Sequence, residues 1–299
     1  MTTSNSDLPE ILYIAGFGRS GTTILHILLA NQPGVFGAGE PTHIFRDGFA
    51  RDEPCSCGRR AWGCEIWSHV LKEIADLGLS ADELVRLRNQ FEAHGRFPFV
   101  AGGHYSGAKL EQYRRVNRAL FSSLARVAEA DVIIDSSKYA GRAIMLDRIF
   151  PGRVRVLFVT RSPAGLMGSF RKPRRGEQRQ KSVPGVVAYH AYVLACLRIA
   201  ATKLGDRALH LRYDDLVVGP DKAIAKIERW WGRDLSRVRD TLRRGDSLDV
   251  GHIITGNRIR KQEHIVFDPS AAHAPVGPFA RLGVCVMAAQ ERVMLRTRT

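Results

Sequence analysis

Residues 14–25, IAGFGRSGTTIL, set a glycine-rich turn and three hydroxyl side chains at the spacing of a phosphate-binding loop. In the pattern G-x-x-x-x-G-K-[ST], Gly16 and Gly21 take the glycine places and Thr23 the hydroxyl place. Thr22 stands where the lysine belongs, and Arg19 lies three residues upstream of it. A turn of this kind between strand and helix aims backbone N–H groups at an anion, and the helix dipole adds to the attraction. Gly18 and Gly21 allow backbone conformations that larger residues resist, while Ser20, Thr22 and Thr23 add hydroxyl donors. With no lysine for the outer phosphates of a magnesium nucleotide, the loop suits a shorter anion held by Arg19 and the backbone.

Such a loop needs a strand before it and a helix after it, and the chain reads that way. EILYIAG is a short apolar strand ending on the glycines, and residues 22–31 read as a helix. GVFGAGE is expected as a second strand closing on Glu40. Helices dominate from about residue 65 to 130, one of them opened by a capping box of Ser80 and Glu83. Strand–helix alternation then resumes: DVIIDSS, a helix over 139–149, RVRVLFVTR, a helix begun by Pro163, ALHLRYDDL as a strand, and an amphipathic helix over 221–231. The expected fold is α/β, a mostly parallel sheet covered by helices on both faces. Ligands of such sheets bind at the carboxyl ends of the strands. That rule gathers Gly16 to Thr23, Glu40, Ser136 to Lys138, Arg161 and Tyr213 on one rim.

The 299 residues suit a single domain, here 1–299 with residues 1–9 as a tail and 42–130 as a helical acceptor-side region. A hydrophobic content of 44% excludes a wholly disordered chain. Forty-five Lys and Arg against thirty Asp and Glu leave a formal charge of +15, which favours anionic partners. The leader MTTSNSDLPE has no basic or apolar signal region, and no apolar run approaches the ~18 residues that span a bilayer. A cytoplasmic protein without a transmembrane segment is expected. Its oligomeric state is not legible.

Three of the five cysteines fall in CSCGRRAWGC, at Cys55, Cys57 and Cys64. Plain packing thiols come first among their readings and a bridge from Cys55 or Cys57 to Cys64 second. A metal site comes last, since a fourth ligand and paired C-x-x-C spacing are missing.

Arg19-Ser20-Gly21-Thr22-Thr23 resembles the first motif of the sulfotransferases that use 3′-phosphoadenosine 5′-phosphosulfate (PAPS), which binds the 5′-phosphosulfate. VTRSPAGLMGSF resembles their second motif, an arginine after a buried strand with a serine eight residues on, here Arg161 and Ser169. In that family the pair clamps the 3′-phosphate. An arginine offers a planar fork for phosphate oxygens. The resemblance runs from about residue 10 to 268 and implies the P-loop-like sulfotransferase fold with PAPS as co-substrate. It also implies adenine contact for Tyr213 in LRYDD, and a basic loop over the 3′-phosphate in GNRIR, with Arg258 and Arg260 as candidates. Lys138 in DSSK matches a lysine near the transferring group.

The resemblance implies a hydroxyl acceptor, either a carbohydrate, a lipid or a small metabolite. It makes Glu40 the general base, with His43 as rival, and Arg19 and Lys138 the stabilisers of the leaving phosphate. Cationic side chains then replace a metal, so none is expected. Phe45, Phe49, Trp62 and Trp67 are acceptor-lining candidates, although core packing also explains them, and the basic run 171–181 is a candidate acceptor or cofactor loop. Two other readings are weighed. A P-loop kinase of a small metabolite would need an acidic strand end, for which only Asp135 is available. A nucleic-acid-binding module would explain the charge but not the strand-end motifs, and aromatic–basic recognition patterns are absent.

Overall fold

A computed structural model describes residues 8–171, 181–256, 258–269 and 276–295; the Arg258 side chain and the other residues, 172–180 of the basic run included, lie outside the description. The chain begins with β1 (Glu10–Gly16), α1 (Thr22–Ala30) and β2 (Val35–Gly37). Helices α2 (Trp67–Ala75), α3 (Ala81–Glu92), α4 (Phe97–Gly102) and α5 (Gly107–Val127) follow. Then come β3 (Val132–Lys138), α6 (Ala140–Ile149), β4 (Val154–Thr160), α7 (Pro163–Arg171), α8 (Val183–Leu204) and β5 (Ala208–Arg212). The rest is α9 (Tyr213–Val218), α10 (Pro220–Trp231), α11 (Ser236–Arg244), β6 (Leu248–Asp249), β7 (His264–Ile265) and α12 (Pro278–Met294).

Five strands form one sheet in the order β2-β3-β1-β4-β5, and every pairing is parallel. Period-two alternation along β1 sends Ile11, Tyr13 and Ala15 into one core and Leu12 and Ile14 into the other. The first core is closed by α2 to α6 and α8, the second by α1, α9, α10 and α11. Burial on both faces explains why the strands read as continuous apolar runs. Helix α3 starts on the capping box expected from SADE: Ser80 accepts from the Glu83 amide, and the Glu83 carboxylate accepts from the Ser80 amide.

Several local expectations change. The second strand stops at Gly37, and Glu40 instead caps a short helical turn, Pro41–His43, because Pro41 sets that turn's first residue. The strand at 208–216 stops at Arg212, and Tyr213 opens α9, whose first turn carries Asp214 and Asp215 at the positive end of the helix dipole. Leu8, assigned by sequence to the leader, is buried, and Arg153 donates to its carbonyl. Residues 183–207 are long and apolar enough to cross a membrane by length and composition, which corrects the expectation that no run reaches that length. In the fold, α8 packs on the sheet, α6 and α12, and His190 near its middle is buried against Gln290.

Candidate active site

The carboxyl ends of β1 and β3 open into a cleft of about 750 Å3. Its floor is the glycine turn. Gly21 has φ 85° and a left-handed backbone, and Arg19 adopts φ 78°, unusual for a residue with a side chain. The turn is locked from inside. The Ser20 hydroxyl donates to the Phe17 carbonyl at 2.8 Å and is fully buried, so it shapes the loop and does not face the cleft. Gly18, Arg19, Gly21, Thr22 and Thr23 line the cleft itself. Tyr189 of α8, which sequence reasoning missed, accepts the Gly18 N–H at 3.0 Å and lines the same cleft. No motif marks a tyrosine in the middle of a helix.

Tyr213 lies against the turn: a Cβ on Gly21 would fall 2.0 Å from its ring. Only glycine permits both that contact and the positive φ. Arg161 stacks over the Tyr213 ring at 5.4 Å, and its Nη1 donates to the Arg19 carbonyl at 3.0 Å. Arg161, Tyr213 and the loop are thus one packed unit. Burial raises the Tyr213 pKa, which keeps the phenol protonated. Ser169 sits half-buried on α7, two turns beyond Arg161.

The end of β3 and the chain after β2 bring titratable groups to the same cleft. Lys138 ends β3 beside a register shift in its pairing with β1, and holds φ 76°. That strained backbone turns its ammonium onto Glu40 Oε1, 98 residues away, in a half-buried ion pair. His43 Nε2 lies 4.0 Å from the other Glu40 oxygen. Burial, opposed by Glu40 and helped by Arg88 and Arg46, brings the His43 pKa down to about 4, so its imidazole is neutral at pH 7. The Glu40 carbonyl accepts from Thr255 at 2.8 Å, and Gly256 packs beside its carboxylate. Arg260 lines the cleft and donates to the Pro54 carbonyl at 3.1 Å. The chain after β6 therefore closes the rim.

Beyond Glu40 the lining includes His43, Arg46, Asp47, Arg51, Glu53, His94, Tyr139, Phe170 and Lys181. Phe45 and Trp67 are instead buried in the core, and Trp62 pairs with Phe49. None of these four lines the cleft. Asp135, the acidic strand end that a kinase would need, is fully buried and bonded to the Arg142 guanidinium at 2.7 Å. Its other oxygen accepts the Ser137 N–H. It faces away from the cleft.

The cleft therefore joins a glycine turn and a lysine–glutamate pair. No curated protein matches the chain in sequence. Among solved structures it is similar to the sulfotransferase domain of the Synechococcus PCC 7002 olefin synthase, with 16% identity over 98% of this chain and 97% of that one and a TM-score of 0.46. It is also similar to sulfotransferase STF1 from Mycobacterium tuberculosis H37Rv, at 18% identity, 79% and 72% coverage and a TM-score of 0.49. A mouse sulfotransferase, SULT7A1, solved with PAP, covers 97% of this chain and 86% of its own at 10% identity and a TM-score of 0.42. A family model described as the sulfotransferase family matches residues 9–237. The chain belongs to the sulfotransferase family.

Proposed function

We propose that the protein moves the sulfuryl group of PAPS to the hydroxyl of a carbohydrate, lipid or small metabolite. The observation that carries this reading is that the Lys138–Glu40 pair lines the same cleft as Arg19, Gly21, Thr22 and Thr23 of the glycine turn. The turn's N–H groups and Arg19 hold the 5′-phosphosulfate, and Arg161 with Ser169 binds the 3′-phosphate. Tyr213 meets the adenine. Arg260 closes over the nucleotide from the late loop; the other candidate, the Arg258 side chain, lies outside the described residues. The size of the cleft suits a nucleotide with part of an acceptor.

In the transfer, Glu40 takes the acceptor's proton as the acceptor oxygen bonds to sulfur. The bond from sulfur to the bridging oxygen breaks in line, and its electron pair stays on the 5′-phosphate of 3′,5′-ADP. Lys138 and Arg19 stabilise charge growing on that phosphate. The sulfuryl group carries less charge than a γ-phosphoryl, so fixed cations do the work a magnesium ion does for a kinase.

The test is transfer of label. PAPS carrying a radiolabelled sulfuryl group is offered to pools of hydroxylated glycans, lipids and phenols. The label is expected to move to one pool with release of 3′,5′-ADP, and Lys138→Ala is expected to slow this by roughly 10²–10³-fold. Label that stays on PAPS in every pool, while the γ-phosphate of magnesium-ATP is transferred to one of them, would overturn the proposal in favour of a kinase.

A further inference from the structure

Cys55, Cys57 and Cys64 converge on a fourth group that the sequence did not suggest. Cys55 and Cys57 sit in a tight turn closed by a bridge between Pro54 and Arg60. Within it, the Gly58 N–H donates to the Cys55 carbonyl at 3.0 Å, and Gly58 takes φ 84° so that the chain reverses. Cys64 follows the short helical turn Ala61–Gly63. His252 arrives from the segment after β6, 188 residues beyond Cys64. Ser56 pins it there, its amide donating to the Ile253 carbonyl and its hydroxyl accepting from the Ile253 N–H. Trp67 adds a bond from its indole to the His252 carbonyl at 2.7 Å.

The three Sγ atoms and one ring nitrogen of His252 all lie within 4.8 Å of one another. Cys64 Sγ is 3.8 Å from Cys55 Sγ and 3.3 Å from His252 Nδ1. Zinc–sulfur bonds of ~2.3 Å at tetrahedral angles set the sulfurs ~3.8 Å apart, and a zinc–nitrogen bond of ~2.0 Å brings that edge near ~3.5 Å. The supporting groups also fit. His252 Nε2 lies 3.3 Å from a Glu65 carboxylate oxygen, which puts the imidazole proton on Nε2 and leaves the Nδ1 lone pair for a metal. Plain packing does not explain Cys57, which is exposed, and a disulfide would use only two of the four converging donors.

We propose that Cys55, Cys57, Cys64 and His252 form a structural zinc site. Three thiolates and an imidazole are soft donors suited to zinc, and four protein ligands leave no open position for catalysis. The site would tie the 55–64 turn to the chain that carries Thr255 and Gly256 to Glu40. Zinc would thus hold one wall of the cleft in place without entering the reaction. The inference is independent of which donor the cleft binds.

The test is the metal content of the full chain, purified under reducing conditions without chelator. About one zinc per chain is expected, and zinc should protect three thiols from alkylation until it is stripped. Refilling with cobalt(II) should give the intense visible bands of a tetrahedral thiolate site. Cys285→Ser, at an exposed cysteine outside the cluster, should keep the metal. Cys64→Ser and His252→Ala should lose or weaken it by at least tenfold. Wild-type protein with neither zinc nor a cobalt spectrum, or a mass showing two hydrogens lost to a Cys55–Cys64 bond, would overturn the proposal. So would full metal in the Cys64→Ser, His252→Ala double variant. Wild-type stoichiometry decides the matter even if a variant fails to fold.

Discussion

Glu40 has two neighbours that make it different from an ordinary surface carboxylate. Lys138 holds one oxygen and His43 lies near the other. Glu40→Gln keeps the shape and the hydrogen bonding but cannot accept a proton. With Glu40 as base, turnover should fall roughly 10²–10⁴-fold while 3′,5′-ADP affinity changes little, and His43→Ala should cost much less. Steady-state kinetics with the identified acceptor checks this. Near-normal turnover in Glu40→Gln would move the role to His43, whose imidazole is neutral at pH 7. Arg161 invites a second test because it touches both the loop carbonyl and Tyr213. A charged hydrogen bond contributes roughly 1.5–3 kcal/mol, so a 3′-phosphate clamp predicts that Arg161→Ala weakens 3′,5′-ADP about ten- to a hundredfold and 5′-AMP far less. Calorimetric titration of both ligands separates the roles. Equal weakening would mean that Arg161 only supports the Arg19 backbone.

Among the elements, α3, α5, α6 and β3 are tied beneath the site by buried charge. Arg142 of α6 binds Asp135 of β3 and Glu92 of α3, and also meets Tyr113 and Asn117 of α5. Glu92 passes the connection to Thr42, two residues from Glu40, and to Arg88. Two cations thus face two carboxylates. Removing one partner of a buried pair leaves a charge unpaired at a cost of roughly 3–5 kcal/mol. Arg142→Met should therefore lower the denaturant midpoint by that much stability, and a loss under about 1 kcal/mol would show the network is dispensable. None of this was legible in the sequence, where Asp135 looked like a metal-binding strand end. Local signals were legible: a capping box, a proline at a helix start, a glycine turn after an apolar run. Their partners are within a few residues. Lys138 with Glu40, Arg142 with Glu92, and Cys64 with His252 depend on contacts across 98, 50 and 188 residues, which spacing does not encode.

At the scale of the molecule, parallel topology gathers the strand ends, and the +15 charge favours the approach of an anionic donor to a cleft lined by Arg19, Arg46, Arg51, Lys138 and Arg260. The mostly parallel sheet was foreseeable because β1, β3 and β4 are continuous apolar runs followed by helices. The closing segment after β6 was not, since it has little secondary structure and its position rests on contacts with Glu40, Ser56 and Trp67. The proposed function requires a cleft that takes a 3′-phosphorylated adenosine donor and not a magnesium nucleotide. Thermal unfolding with 3′,5′-ADP, without added magnesium, tests it and needs no knowledge of the acceptor. A ligand at ~100 times its dissociation constant stabilises by about 2.7 kcal/mol, which is several degrees for a chain of this size. That shift is expected for 3′,5′-ADP and a much smaller one for magnesium-ATP; a larger shift with magnesium-ATP, or none with 3′,5′-ADP at millimolar concentration, would rule out the proposed donor.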